Sequence, residues 1–283
     1  MGELRFLSAE ISEGRCSEVA AVRADEPAPI GTLIQLYVLA ALGEAVPQDH
    51  EWQDLLVVQE RLKSIPPGVL QERPDGEAIT VLDAADLMIS LSDNTATDHL
   101  IDLLGGEVVE TSMVRFGNST PELNTPLLNT RELTALKVGV ASGLRVQWLP
   151  GDEATRRSIL DQISEITPAD LPVESWVSPV DPDLLNWFAT PSDLCDLTVG
   201  LLDLADSVPE LAPILDPEDH SAGSRDRFWT HYGTEPGLLA FWFVDRDEGH
   251  TVVTAGSIVN SDRLIDEEEA HQLLDTIRET VAP

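Results

Sequence analysis

The sequence predicts a mixed α/β (α+β) domain of two lobes: an antiparallel sheet with terminal helices, into which an all-helical lobe is inserted. Three observations predict it. Residues 4–11 and 18–23 are short apolar-rich runs around Ser12-Glu13-Gly14-Arg15 and read as an opening β-hairpin. Residues 237–245 and 251–259, around Asp247-Glu248-Gly249, read as a second hairpin, with an amphipathic helix over 265–281 behind it. Between the two hairpins the pattern is mainly helical. Each hairpin alone would expose an apolar face, so the economical solution puts both in one sheet and makes the helical insertion a second lobe. The expected organisation is one domain over 1–283, with a sheet lobe of about 1–45 and 222–283, a helical lobe of about 46–221, and a cleft where they meet.

Each element has a local reason. Residues 31–42 are apolar over three helical turns and stop at Gly43, which predicts a buried helix whose first turn carries Thr32 and Gln35 on one face. The stretch 49–76 is rich in turn residues, with Pro66-Pro67-Gly68 and Pro74-Asp75-Gly76 as punctuation. A helix starting at Thr80 breaks at Ser92-Asp93-Asn94, and an amphipathic one over 95–104 closes on Gly105-Gly106. Residues 118–128 read as loop. Asn129-Thr130-Arg131-Glu132 has the spacing of a capping box and opens a helix to about Ser142. A weaker helix covers 152–163, a proline-rich passage runs to Phe188, and Thr190-Pro191-Ser192-Asp193 starts a helix to about Ala205.

Several of these stretches together resemble the superfamily of penicillin-binding proteins and class A β-lactamases. They are Pro29-Ile30-Gly31 before Leu36-Tyr37-Val38-Leu39, the segment 88–98 around Ser92-Asp93-Asn94, Asn124-Thr125-Pro126 with Thr130-Arg131-Glu132-Leu133, Trp187-Phe188-Ala189-Thr190-Pro191, and Glu235-Pro236-Gly237. The likeness spans roughly 29–260. It implies the β-lactamase/transpeptidase-like fold and three motifs facing one another: Ser-x-x-Lys, Ser-Asp-Asn and Lys-Thr-Gly. No cofactor and no metal are expected, since no metal-ligand spacing occurs.

The resemblance also implies altered chemistry. Thr32 stands where the family has its nucleophilic serine and Gln35 where it has the lysine one turn on; His231-Tyr232-Gly233 replaces Lys-Thr-Gly. A serine hydroxyl is a poor nucleophile until a base takes its proton, and a glutamine amide does not titrate. The methyl of Thr32 crowds the attack trajectory as well. The expected catalytic positions are Thr32, Gln35, Ser92 and His231, with Asn94, Tyr232, Gly233 and Thr234 as substrate-binding positions. By the resemblance His231 is expected close to Ser92, with Thr32 as a further neighbour; it either serves as a base there or is the remnant of a lost site in which Tyr232 fills the former substrate space. Thr120 falls at the position of the glutamate that activates the deacylating water, with Glu122 two residues on, more simply read as a surface acid.

Three functions follow. The leading one is a catalytically impaired homologue that binds a peptide-like or amide ligand. The second is a hydrolase of activated esters using Thr32 or Ser92 with His231 as general base. The third is a protein-interaction module. Asp93 is expected to hold the Ser-Asp-Asn turn by accepting backbone hydrogen bonds. His50, His99, His220 and His250 have no metal-ligand spacing, the pair Glu267/His271 reads as a solvated face, and Trp229 draws notice two residues before His231. Cys16 and Cys195 read as two buried thiols, with a single bridge between them left open.

Composition narrows the setting. Of 283 residues, 42% are hydrophobic, enough for a substantial core, while 51 acidic against 17 basic residues give a net charge of -34. Such an excess repels nucleic acid and anionic membrane surfaces. No run approaches the roughly 18 apolar residues of a membrane span, and Met1-Gly2-Glu3-Leu4-Arg5 lacks a secretory pattern, so the expected location is the cytoplasm unless an export signal has been trimmed. Self-repulsion on this scale favours a halophilic chain over an ordinary acidic one. The expectation is cooperative loss of secondary structure on dilution into low salt, followed by circular dichroism; unchanged stability would remove the halophilic reading.

Overall fold

A computed structural model describes residues 2–216, 227–247 and 249–281. In chain order, β1 (Glu3–Ser12), β2 (Arg15–Val22) and β3 (Ala28–Pro29) lead through a 3-10 turn at Gly31–Leu33 into α1 (Ile34–Asp49). Next come β4 (Leu55–Val57), β5 (Ala78–Thr80), α2 (Val81–Ser90), α3 (Asn94–Leu104), α4 (Gly106–Arg115) and α5 (Thr130–Lys137). They are followed by α6 (Arg145–Trp148), α7 (Glu153–Ile163), β6 (Phe188–Ala189), α8 (Pro191–Ser207) and α9 (Leu211–Leu215). The chain closes with β7 (Arg227–Glu235), β8 (Leu238–Asp247), β9 (His250–Val259) and α10 (Glu267–Val281).

The chain forms two compact units. One comprises Met1–Ile34, Val114–Thr120 and Ser178–Pro283; the other comprises Gln35–Met113 and Pro121–Val177. The first is the sheet unit. Its five strands run in the order β2-β1-β9-β8-β7, all antiparallel, so the opening and closing hairpins share one sheet as the sequence predicts. Glu13 and Gly14 both have positive φ (51° and 68°), the conformation of a tight hairpin turn, which lets β2 begin at Arg15. One sheet face packs Phe6, Leu239, Phe241, Phe243 and Ile258 against Ala270, Leu274 and Ile277 of α10. Helix α8 packs on β1, β2 and β9, and Trp242 Nε1 donates to its Thr198 Oγ1 at 2.8 Å. The residues 114–120 and 178–216 therefore pack with the sheet, whereas the sequence division placed them in the helical lobe; the contacts of α8 are the reason.

The second unit is helical. Asp152 caps α7, Thr80 caps α2, and Asn129 with Glu132 forms the expected capping box on α5. Three boundaries differ from expectation. Helix α1 continues through Gly43 to Asp49, because buried neighbours outweigh the roughly 1 kcal/mol that glycine costs inside a helix. Helix α5 stops at Lys137, where the chain turns so closely that a Cβ on Gly139 would lie 2.7 Å from Leu171. Helix α4, which the sequence pattern did not disclose, starts immediately after Gly105 (φ 82°) ends α3.

Cys16 and Cys195 are not free thiols. They form a disulfide that joins β2 to α8 across a sequence separation of 179, with Cα atoms 6.4 Å apart. The spacing hid this because only the packing of α8 on the sheet brings the two together. No helix among the described residues is long and apolar enough to cross a membrane. Replacing both cysteines by serine is expected to cost about 2 to 5 kcal/mol of unfolding free energy, and reduction of the native chain to give the same loss, as measured by denaturant unfolding with and without dithiothreitol.

Candidate functional site

In the sheet unit the expected site residues gather where the segment before α1 meets β7. Gly31 adopts φ 51° and donates its N–H to Asn186 Oδ1 at 3.0 Å, while Ile30 N–H donates to Trp187 O at 2.9 Å. Gly233 lies against this segment so closely that a Cβ would fall 2.5 Å from Ile30 O and 2.7 Å from Thr32 N. Only glycine permits that approach. Thr32 then donates its hydroxyl proton to the backbone carbonyl of Tyr232 at 3.0 Å.

Alternation along β7 decides what faces this contact. Trp229 and His231 are buried, and Trp229 stacks on Trp242 with ring centroids 6.2 Å apart. His231 is neutral at ordinary pH: burial pulls its pKa down to about 4 against a hydrogen bond with the Thr32 backbone. Tyr232 points to the other face, edge-on to Phe243 at 5.4 Å and 39% exposed. Thr234 alternates with it and is likewise exposed. The structure thus brings Thr32, His231 and Gly233 together. The side chains of Tyr232 and Thr234 lie on the sheet face that carries α10.

In the helical unit, Ser92 links α2 and α3 with φ 51°, an uncommon backbone for a non-glycine residue. Asp93 caps α3 by accepting from Ala96 N–H at 2.9 Å, and its other oxygen accepts from Val69 and Leu70 N–H at 2.6 and 2.8 Å. This is the turn-holding role expected of it. Gly68 (φ 121°) passes so near that a Cβ would strike the Asp93 carboxyl group. Asn94 donates through Nδ2 to the carbonyls of Ile65 and Pro66, at 3.0 and 3.2 Å; its buried Oδ1 has no partner.

Gln35, fully buried, ties this turn to α3. Its Oε1 accepts the Ser92 hydroxyl at 3.0 Å and its Nε2 donates to Thr97 Oγ1 at 2.8 Å, which in turn donates to Asp93 O at 2.8 Å. These three hydrogen bonds end on an amide oxygen, a hydroxyl oxygen and a backbone carbonyl oxygen.

Sequence reasoning missed Asn186, Thr97 and Asp98. Asp98 accepts from Thr130 N–H, Thr130 Oγ1 and Arg131 N–H at the start of α5, and burial still lifts its pKa to about 7. The capping box at 129–132 marked that helix start but not its buried partner. His99 is a core residue, its Nδ1 bonded to Thr95 O at 2.7 Å and its Nε2 accepting from Gln59 N–H at 3.0 Å. His220 lies outside the described residues. Glu122 sits exposed in a 3-10 turn, as a surface acid does. Among the described residues no three metal-binding side chains come together.

A family model described as the beta-lactamase enzyme family matches residues 9–170, more than half of the chain. The chain belongs to that family. A search of curated proteins finds no match. Among solved structures, a β-lactamase from Sphaerobacter thermophilus is 19% identical with a TM-score of 0.68, covering 98% of this chain and 89% of its own. PBP-A is 16% identical with a TM-score of 0.64, covering 99% and 88%. An ancestral class A β-lactamase is 18% identical with a TM-score of 0.66, covering 98% and 92%. These likenesses establish the β-lactamase-like fold.

The depressed pKa of His231 has a consequence for stability. An unfolded histidine takes up a proton near pH 6.5 and the folded one near 4, so stability is full above 6.5 and falls as pH drops through that window, by at most about 1.4 kcal/mol per pH unit. Comparing His231→Gln with the parent chain by thermal unfolding between pH 7 and 4 should show a shallower acid slope in the variant.

Proposed function

We propose that this chain is a β-lactamase-family protein that does not follow the serine–lysine acylation route and binds a peptide-like or amide ligand without turning it over. One observation carries this reading: the buried amide of Gln35 holds the Ser92 hydroxyl in a position where the family places a lysine. An amide accepts a hydrogen bond but takes no proton, so it cannot activate a nucleophile.

The sheet unit supports the same reading. The Thr32 proton is directed to a backbone carbonyl, and His231, with a pKa of about 4, is a weak base. Both points weigh against an esterase in which His231 activates Thr32 or Ser92. The binding half of the reading rests on the Ser92-Asp93-Asn94 turn, held by three backbone N–H groups on Asp93 with Ser92 partly exposed.

A PBP-A variant forms an acyl-enzyme with penicillin G. For this chain we expect none: intact-mass spectrometry after incubation with a fluorescent penicillin, a chromogenic cephalosporin and p-nitrophenyl esters should show the unmodified mass and background hydrolysis. A covalent adduct at Thr32 or Ser92 with measurable turnover would sink the proposal.

A further inference from the structure

At the end of β9, beside the start of β1, the sheet unit holds a cavity of about 380 Å³. That is within the usual size range of small-ligand sites. Its apolar lining includes Ile258, which is fully buried, and Leu264, which is 55% exposed although it is a large apolar side chain. Its polar lining is Asn260, Arg263, Asp266 and Glu269.

Arg263 is the telling residue. With three times as many acids as bases in the chain, basic side chains find partners readily: Arg5, Arg15, Arg23, Arg61, Lys63, Arg73 and Arg157 all form ion pairs. Among the described basic side chains, Arg263 alone makes no ion pair, hydrogen bond or ring contact. Asn260 Oδ1 accepts the backbone N–H groups of Asp262 and Arg263 and so fixes the loop from which the arginine projects. An unpaired guanidinium is thus mounted on an ordered turn, in a cavity that two acids at the start of α10 also line.

We infer that this cavity binds a small zwitterion with an apolar body, the chemistry of a free apolar amino acid. The carboxylate would take the bidentate donors of Arg263, the ammonium would face Asp266 and Glu269, and the apolar side chain would cover Leu264 and the partly buried Ile265. A dianion is disfavoured by the same two acids, and an uncharged apolar molecule would leave the arginine unpaired.

Isothermal titration with L-leucine, N-acetyl-L-leucine and L-leucinamide separates the contributions. The expected result is saturable binding of L-leucine that weakens about tenfold or more in Arg263→Ala, the equivalent of one charge-assisted hydrogen bond, and comparable weakening for both blocked analogues. Arg263 is exposed, so the variant should keep the parent circular dichroism spectrum. No saturable binding of L-leucine, equal affinity in Arg263→Ala, or equal affinity for the blocked analogues would overturn the inference.

Discussion

The helical unit depends on the carboxyl group of Asp93. Three backbone N–H groups, from Ala96 at the start of α3 and from Val69 and Leu70 in the preceding loop, converge on one fully buried side chain. Their satisfaction fixes the entry to α3 and with it the left-handed backbone of Ser92. Buried donors left without an acceptor would cost about 1 to 3 kcal/mol each, so the turn cannot relax locally. That rigidity presents the Ser92 hydroxyl to Gln35 in one orientation. The Ser-Asp-Asn turn is thus a rigid mount whose neighbour is a neutral amide.

The sheet unit keeps its part of the site by a different means. Two glycines, Gly31 and Gly233, allow one backbone to lie almost upon another, and Asn186 holds the nearer strand of chain by accepting the Gly31 N–H. Electrostatics and packing then agree. A lysine at 231 would need a counter-charge or water, whereas a neutral imidazole between Trp229 and Gly233 tolerates burial. The buried positions 35 and 231 both carry hydrogen-bonded neutral groups.

How much of this was legible in the sequence varied with the range of the interaction. Helix starts were read correctly where they are local: the caps Asn129 with Glu132 and Thr190 with Asp193, and the start at Thr80, each satisfy backbone donors within three residues. The Ser-Asp-Asn break was legible for the same reason. Pairings that need tertiary packing were not. The Cys16–Cys195 bridge, the association of α8 with the sheet, and the hold of Asn186 on Gly31 link residues that only the fold brings together. The face taken by Tyr232 and Thr234 was not legible either, because motif likeness names positions in a strand without saying where each side chain points. Helix α1 outran Gly43 because burial overrode the local stop signal.

The pairing of β1 with β9 also sets an order of events during synthesis. The opening hairpin emerges first, yet β1 finds its second neighbour only when residues 250–259 have been made. Until then its apolar side has no sheet to join, and Cys16 has no partner before α8 appears. The N-terminal hairpin must therefore be kept from wrong associations while most of the chain is added, which makes this a slow, late-closing topology. The bridge locks it only where an oxidant is present, so a chain matured under reducing conditions would reach the same sheet without its covalent tie.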